Sequence, residues 1–285
     1  MFLLLWAGIN TLAAIRDWLR LPEVYIHMEQ HLNQASAFVK RYDSEGLPVY
    51  FSPYSPSHPD IGFNAARLSP RQVGAFDSRF CMVISRSASI FISLDMLDPD
   101  FQARLSRLAD TEILAEDSLA PEPRYRVYRA VPHQELSSGW QSDDDTIVFA
   151  DTIMVRAVSA LPASSAAGET IPIDLAFQTM RPLDRVYGLF VHLYGHPTPY
   201  EGGPLLAQAD SWVCASYPSI YWKHNEVIVQ HFDLTVPAQI PAGSYTISIG
   251  LYDVEDGARQ PITRPAQPED YFTLAELNIA QAQDK

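Results

Sequence analysis

Cysteine is almost missing from this chain: 285 residues carry only Cys81 and Cys214. That rules out a dense disulfide framework and a metal site built from several thiolates. Clusters of Lys or Arg are missing as well, and the formal net charge is -14. A basic patch for nucleic acid or for an anionic membrane surface is therefore not expected. The common catalytic signatures are also absent. There is no Gly-x-Ser-x-Gly elbow, no His-Glu-x-x-His, no Cys-x-x-Cys and no Gly-x-x-x-x-Gly-Lys loop. No apolar run reaches the roughly 20 residues that a bilayer-spanning helix needs. The nearest is Met1–Ile15, whose first charges, Arg16 and Asp17, come only at its far end. It lacks the leading positive charge and the small-residue cleavage site of a signal peptide.

What is present describes a folded protein, with 47% hydrophobic and 19% charged residues. The C-terminal half is organised around Pro241–Asp253, where Tyr245, Ile247, Ile249 and Leu251 alternate with Ser244, Thr246, Ser248 and Gly250. That period of two marks a strand with one face in a core. Ile171–Phe177 repeats the alternation, and Tyr187–Tyr194 carries apolar residues on both faces, as a central strand does. Val227–Leu234, Phe272–Ile279 and Ile147–Leu161 add further strands between Pro- and Gly-rich turns. The fold class expected is an all-β antiparallel sandwich, immunoglobulin-like or jelly-roll-like, over residues 147–281.

The N-terminal half reads differently. A helix is expected from Pro22 to about Tyr42, with Val24, Tyr25, Met28, Leu32, Ala35, Phe38, Val39 and Tyr42 on one stripe. Pro48–Ser52, Phe80–Ser85, Ser89–Leu94, Glu112–Ala115 and Tyr125–Ala130 read as strands, His58–Leu68 as weakly helical, and Asp98-Pro99 as a helix start. Residues 21–131 are thus expected to form a small α/β layer domain. Residues 132–146, with Ser137-Ser-Gly139 and the acidic run Asp143–Asp145, read as a linker. Because Cys81 and Cys214 fall in different expected domains, two unpaired buried thiols are the expectation and a disulfide is the alternative.

No metal or cofactor site is expected. His192, His196 and His231 with Asp210 and Asp253 lack ligand spacing, and Asp143-x-Asp145 lies in a polar linker. The aromatic loops are the stronger signal. Trp212, Tyr217, Tyr221 and Trp222 are interleaved with Ser, Asp, His and Asn, and flat rings flanked by short polar groups suit the faces and rims of sugars. These four residues form the candidate glycan-binding set, and packing across the end of the sandwich is the competing reading.

The ordered pieces Gly168–Thr170, Leu189–Leu193, Ala207–Ser211, Tyr217–Ser219 with Trp222, Glu226-Val227, Pro241–Tyr245, Gly250–Asp253 and Gly257–Arg259 resemble a known domain. It is the C-terminal domain of bacterial membrane glycosyltransferases related to the dolichyl-phosphate-mannose–protein mannosyltransferases and the aminoarabinose transferases. Arg16–Trp18, Pro48–Ser52, His58-Pro59 and Phe76-Asp77 extend the resemblance over the first half. His231 departs from it where an acidic residue is commoner, and Ser219 where Thr is commoner. The resemblance implies a non-catalytic extracytoplasmic portion, with residues 1–20 the remnant of a transmembrane helix. It implies membrane partnership through Met1–Ile15, contact with a glycan or lipid-linked sugar, and no catalytic residue in this chain. A free-standing carbohydrate-binding or adhesion module and a hydrolase with a scattered site are the alternatives.

Overall fold

The computed structural model describes residues 2–18, 21, 24, 30–43, 45–55, 57–59, 73–94, 97–116, 125–137, 140, 146–265 and 269–280. The chain enters through α1 (Phe2–Trp18) and α2 (Gln30–Asp43). Strands β1 (Val49–Ser52), β2 (Val73–Ala75), β3 (Cys81–Ser85) and β4 (Ser89–Ser93) follow, then helix α3 (Phe101–Ser106). Next come β5 (Ala109–Glu116), β6 (Arg126–Pro132), helix α4 (Gln134–Ser137), β7 (Ile147–Phe149) and β8 (Ile153–Ala157). After β9 (Ser164–Ser165) run β10 (Thr170–Thr179), β11 (Tyr187–Tyr194), β12 (Leu205–Gln208) and β13 (Ser211–Trp212). The chain closes with β14 (Glu226–Thr235), β15 (Gly243–Asp253), β16 (Ile262–Arg264) and β17 (Phe272–Ile279).

Three sheets result. Sheet I orders its strands β2-β1-β4-β6-β5, sheet II β16-β7-β8-β10-β14-β3, and sheet III β12-β11-β15-β17-β9, with β13 also on β11. Sheets II and III form the expected β-sandwich. Its alternation is the one read from sequence: Leu189, Val191 and Leu193 pair with Leu251, Ile249 and Ile247 and are buried in the core. On sheet II, Leu234, Phe232 and Ile228 pair with Ile171, Ile173 and Phe177 to line the opposite wall.

Sheet I buries both faces. Val49, Phe51, Ile90, Ile92 and Val127 join Leu32, Ala35 and Tyr42 of α2 in one apolar cluster. Tyr50, Phe91 and Tyr128 belong instead to the cluster that continues through Phe101 and Leu105 of α3 into the sandwich. The alternation along β1 and β4 therefore sends every second side chain toward the sandwich. An expected junction between two domains is here a shared core.

The strand that joins them most directly is β3, which the sequence reading places in the N-terminal α/β unit. It is the edge strand of sheet II, pairing Glu226↔Ser85 through Gln230↔Cys81 with β14. Nor is the segment 132–146 a bare linker where it is described: Pro132 ends β6, α4 follows, and Leu136 and Trp140 are buried. The acidic run Asp143–Asp145 lies outside the described residues, as do Pro22, Glu23 and most of His58–Leu68.

Asp98 does not cap a helix. α3 begins at Phe101, and the buried Asp98 carboxylate instead accepts hydrogen bonds from Ser78 and Arg104. The 17 residues of α1 span about 25 Å, and among the described residues no helix is long and apolar enough to cross a membrane.

Candidate functional site

The four aromatic residues singled out from sequence do not share a face. Trp222 is 4% exposed and Tyr217 2%, whereas Trp212 and Tyr221 are exposed at 50% and 43%. Trp222 packs its ring 6.1 Å from Phe177, and its indole N–H donates to the Tyr217 carbonyl at 2.9 Å. Both are core residues, and truncating either would leave a cavity. The turn from Pro218 to Trp222 tucks Ser219 and Trp222 inward and leaves Ile220 and Tyr221 exposed. Ser219 is buried there, donating to the Arg185 carbonyl at 2.6 Å and accepting from the Tyr187 N–H at 3.2 Å. Trp212, by contrast, faces outward: its partner in β11 is Gly188, whose neighbour Leu189 faces the core. As a single glycan-binding set, the four residues are corrected by this arrangement.

Tyr217 instead serves a buried polar seam between sheet I and the sandwich. The Glu226 carboxylate, with no exposed surface, accepts from the Tyr50 hydroxyl at 2.8 Å and from the Lys223 N–H at 2.9 Å. The Tyr217 hydroxyl lies 3.0 Å from Glu226 Oε2 and 2.8 Å from the Tyr221 carbonyl, one proton serving both acceptors. Lys223 Nζ sits 3.3 Å from Glu226 Oε1 and 5.7 Å from the Tyr50 ring centre, a cation over an aromatic face. Burial first, and then the charge of Glu226, pushes both tyrosine hydroxyls well above the usual phenol range. A buried carboxylate with this many donors holds its surroundings in one arrangement. Tyr50, Tyr217 and Glu226 are all buried, and the bonds among them tie sheet I to the sandwich.

Beside the seam lies a second tie. Cys81 and Cys214 form a disulfide with Cα atoms 5.3 Å apart, linking β3 to the chain just after β13. The expectation of two unpaired thiols is thereby corrected. Sequence separation had set the two cysteines in different domains, but β3 brings Cys81 to the sandwich interior opposite Gln230. Cys214 sits at φ 48°, a left-handed conformation uncommon for a residue with a side chain. Its N–H is held by Gln230 Oε1 at 2.6 Å, and Gln230 Nε2 donates to Ser211 Oγ at 3.2 Å.

A groove of about 560 Å³ opens where α3 and β3 meet the outer face of sheet II, lined in part by Arg79, Arg104, Arg107, Asp174 and His231. Arg79 is anchored on Asp77, its Nε 2.8 Å from Oδ1, and Arg104 on the buried Asp98. His231 lies between two carboxylates, with Nδ1 2.8 Å from Asp174 and Nε2 3.0 Å from Asp233. Burial pulls its pKa down, but the hydrogen bonds and charges of the two aspartates outweigh that and raise it. Each cation in the groove except Arg107 thus has its own carboxylate, so the groove offers N–H donors at little net charge. The other His and Asp candidates are likewise dispersed. His192 faces Asp210 at 3.5 Å, while Asp253 pairs with Arg185. Among the described residues, no His, Cys, Asp and Glu cluster could hold a metal ion.

No protein-family model matches the chain, and no curated protein matches it. Among solved structures, a membrane-anchored protein from Corynebacterium diphtheriae overlaps at 11% identity and a TM-score of 0.26. That overlap covers 74% of this chain and 60% of the other, so this chain spans less than two thirds of that protein's length. So loose an overlap carries no argument about fold or role.

Proposed function

We propose that the chain is a non-catalytic, extracytoplasmic part of a membrane-associated glycosyltransferase system, where it acts as a rigid scaffold. The Cys81–Cys214 disulfide is the observation that carries the compartment, because such bonds persist in oxidising surroundings and are rare in the cytosol. The link to glycosyltransferases rests on the ordered run of sequence pieces from Gly168–Thr170 to Gly257–Arg259. Membrane association is supported by α1, which exposes Leu12 at 69%, Ile15 at 48% and Trp18 at 50%. Apolar surface of that kind is costly in water and favours lipid or an apolar partner helix.

The scaffold role is supported by the seam, through which Tyr50 of sheet I meets Glu226 of the sandwich, and by the disulfide, which ties the edge strand β3 to the chain after β13. The test quenches cells of the source type with acid and alkylates free thiols in denaturant, where burial gives them no shelter. The protein is then reduced and labelled with a heavy maleimide. The reading predicts that Cys81 and Cys214 escape the first reagent and are labelled only after reduction. If both thiols take the first reagent, the oxidising compartment, and with it this reading, is wrong.

A further inference from the structure

The outer face of sheet III holds an arrangement that the sequence did not reveal. Along β11, Gly188, Phe190, His192 and Tyr194 all point away from the sandwich core, pairing with Tyr252, Gly250, Ser248 and Thr246 of β15. Gly188 also pairs with Trp212 on its other side, so Trp212 and Tyr252 flank one glycine in a single row. A side chain at Gly188 would meet the Tyr252 ring at 2.3 Å, and one at Gly250 would meet Phe190 at 2.1 Å. Both glycines let an aromatic ring lie flat on the sheet.

Polar groups are spaced among these rings. Arg259 lies 4.6 Å over Phe190 and donates to the Tyr200 hydroxyl at 2.8 Å and to Asp270 at 3.1 Å. Tyr200 stacks on Tyr271 at 4.2 Å and a 6° interplanar angle, yet stays 45% exposed. His192 Nε2 faces Asp210 at 3.5 Å. From the Gly188 row to the Tyr194 row the band covers about 20 Å of strand, more than one sugar ring occupies.

We propose that this band, formed by Trp212, Tyr252, Asp210, His192, Arg259 and Tyr200, is a binding face for an uncharged oligosaccharide. Exposed ring planes supply stacking for the C–H faces of sugars, and the groups beside them supply donors and acceptors for hydroxyls. The class is neutral because Asp210 and Asp270 flank the band, Arg259 is already engaged by Asp270, and the chain carries -14 overall. An acidic glycan would meet repulsion there. This inference goes beyond the scaffold reading and does not depend on it, since a free-standing module could use the same face.

The experiment titrates the whole chain, in mild detergent, with neutral hexasaccharides of glucose, mannose and N-acetylglucosamine, and with an oligogalacturonate as the acidic counterpart. Binding is read from the indole N–H resonance of Trp212 and from direct affinity measurement at millimolar ligand. At least one neutral sugar is expected to shift that resonance. Trp212→Ala and Tyr200→Ala are each expected to weaken binding by about tenfold, with Trp212→Phe retaining most of it. Tyr221→Ala, which removes an exposed ring elsewhere, is expected to leave binding unchanged. A Trp212 resonance unmoved by every neutral sugar would overturn the proposal without recourse to any variant. Preference for the oligogalacturonate, or equal loss in Tyr221→Ala, would overturn it too. The thiol-trapping result bears only on the compartment, so the two tests fail separately.

Discussion

Glu226 is the residue on which the two halves of the molecule agree. Its carboxylate has no exposed surface and takes hydrogen bonds from Tyr50 of sheet I and from the Lys223 backbone within the sandwich. Replacing it with alanine takes the carboxylate from the buried Tyr50 hydroxyl and from the Lys223 ammonium group, while Tyr217 keeps the Tyr221 carbonyl, so Glu226→Ala is expected to cost about 3–5 kcal/mol. Glu226→Gln, which keeps one acceptor oxygen, should cost less. The tyrosines give this region a pH signature with a definite sign. Their folded-state pKa values are raised, so the folded state keeps its protons where the unfolded chain has lost them. Stability from them is complete below about pH 10 and is lost as pH rises through the raised values. Urea unfolding from pH 8 to 11.5 should therefore show stability falling above pH 10, with a shallower fall in Tyr50→Phe and Tyr217→Phe. Equal slopes in wild type and variants would remove the seam from the account. None of this was legible in the sequence. Tyr217 reads there as a member of a polar aromatic loop and Glu226 only as the residue before a strand, and nothing local distinguishes the buried Trp222 from the exposed Trp212 ten residues earlier.

At the scale of elements, the sandwich strands were the legible part. Period-two alternation in β10 and β15 marked their core faces, while β11, apolar on both faces, read as a central strand. The partner of β3 was not legible, since five consecutive buried residues, Cys81–Ser85, carry no alternation that could assign them to a sheet. The helix start expected at Asp98 failed for a related reason: Ser78, Arg104 and the carboxylate meet only in three dimensions. The disulfide follows from the placement of β3. It closes a loop with a sequence separation of 133, a long closure by the standards of chain entropy. Reduction, or Cys81→Ser with Cys214→Ser, is expected to lower stability by about 2–5 kcal/mol. Hydrogen exchange should then show β3 losing protection before β10 or β15. An unchanged urea midpoint on reduction would show that β3 needs no tie to hold its edge position.

For the whole molecule, α2 covers one face of sheet I, and the other face joins α3 and the core of the sandwich. One apolar cluster reaches from Tyr50 and Phe91 through Phe101 to Leu251 and Leu277. A boundary at residues 132–146 is a sound reading of composition, and the chain does pass there from sheet I to the sandwich. Yet β3 crosses the division, and Leu136 and Trp140 of that segment are buried. The shared core makes the N-terminal layer and the sandwich one cooperative body, which would hold the proposed sugar-binding face at a fixed place. Differential scanning calorimetry of the oxidised chain is the test. A single transition is expected, with calorimetric and van't Hoff enthalpies in agreement. Two resolved transitions, one leaving a folded sandwich after sheet I has melted, would contradict it.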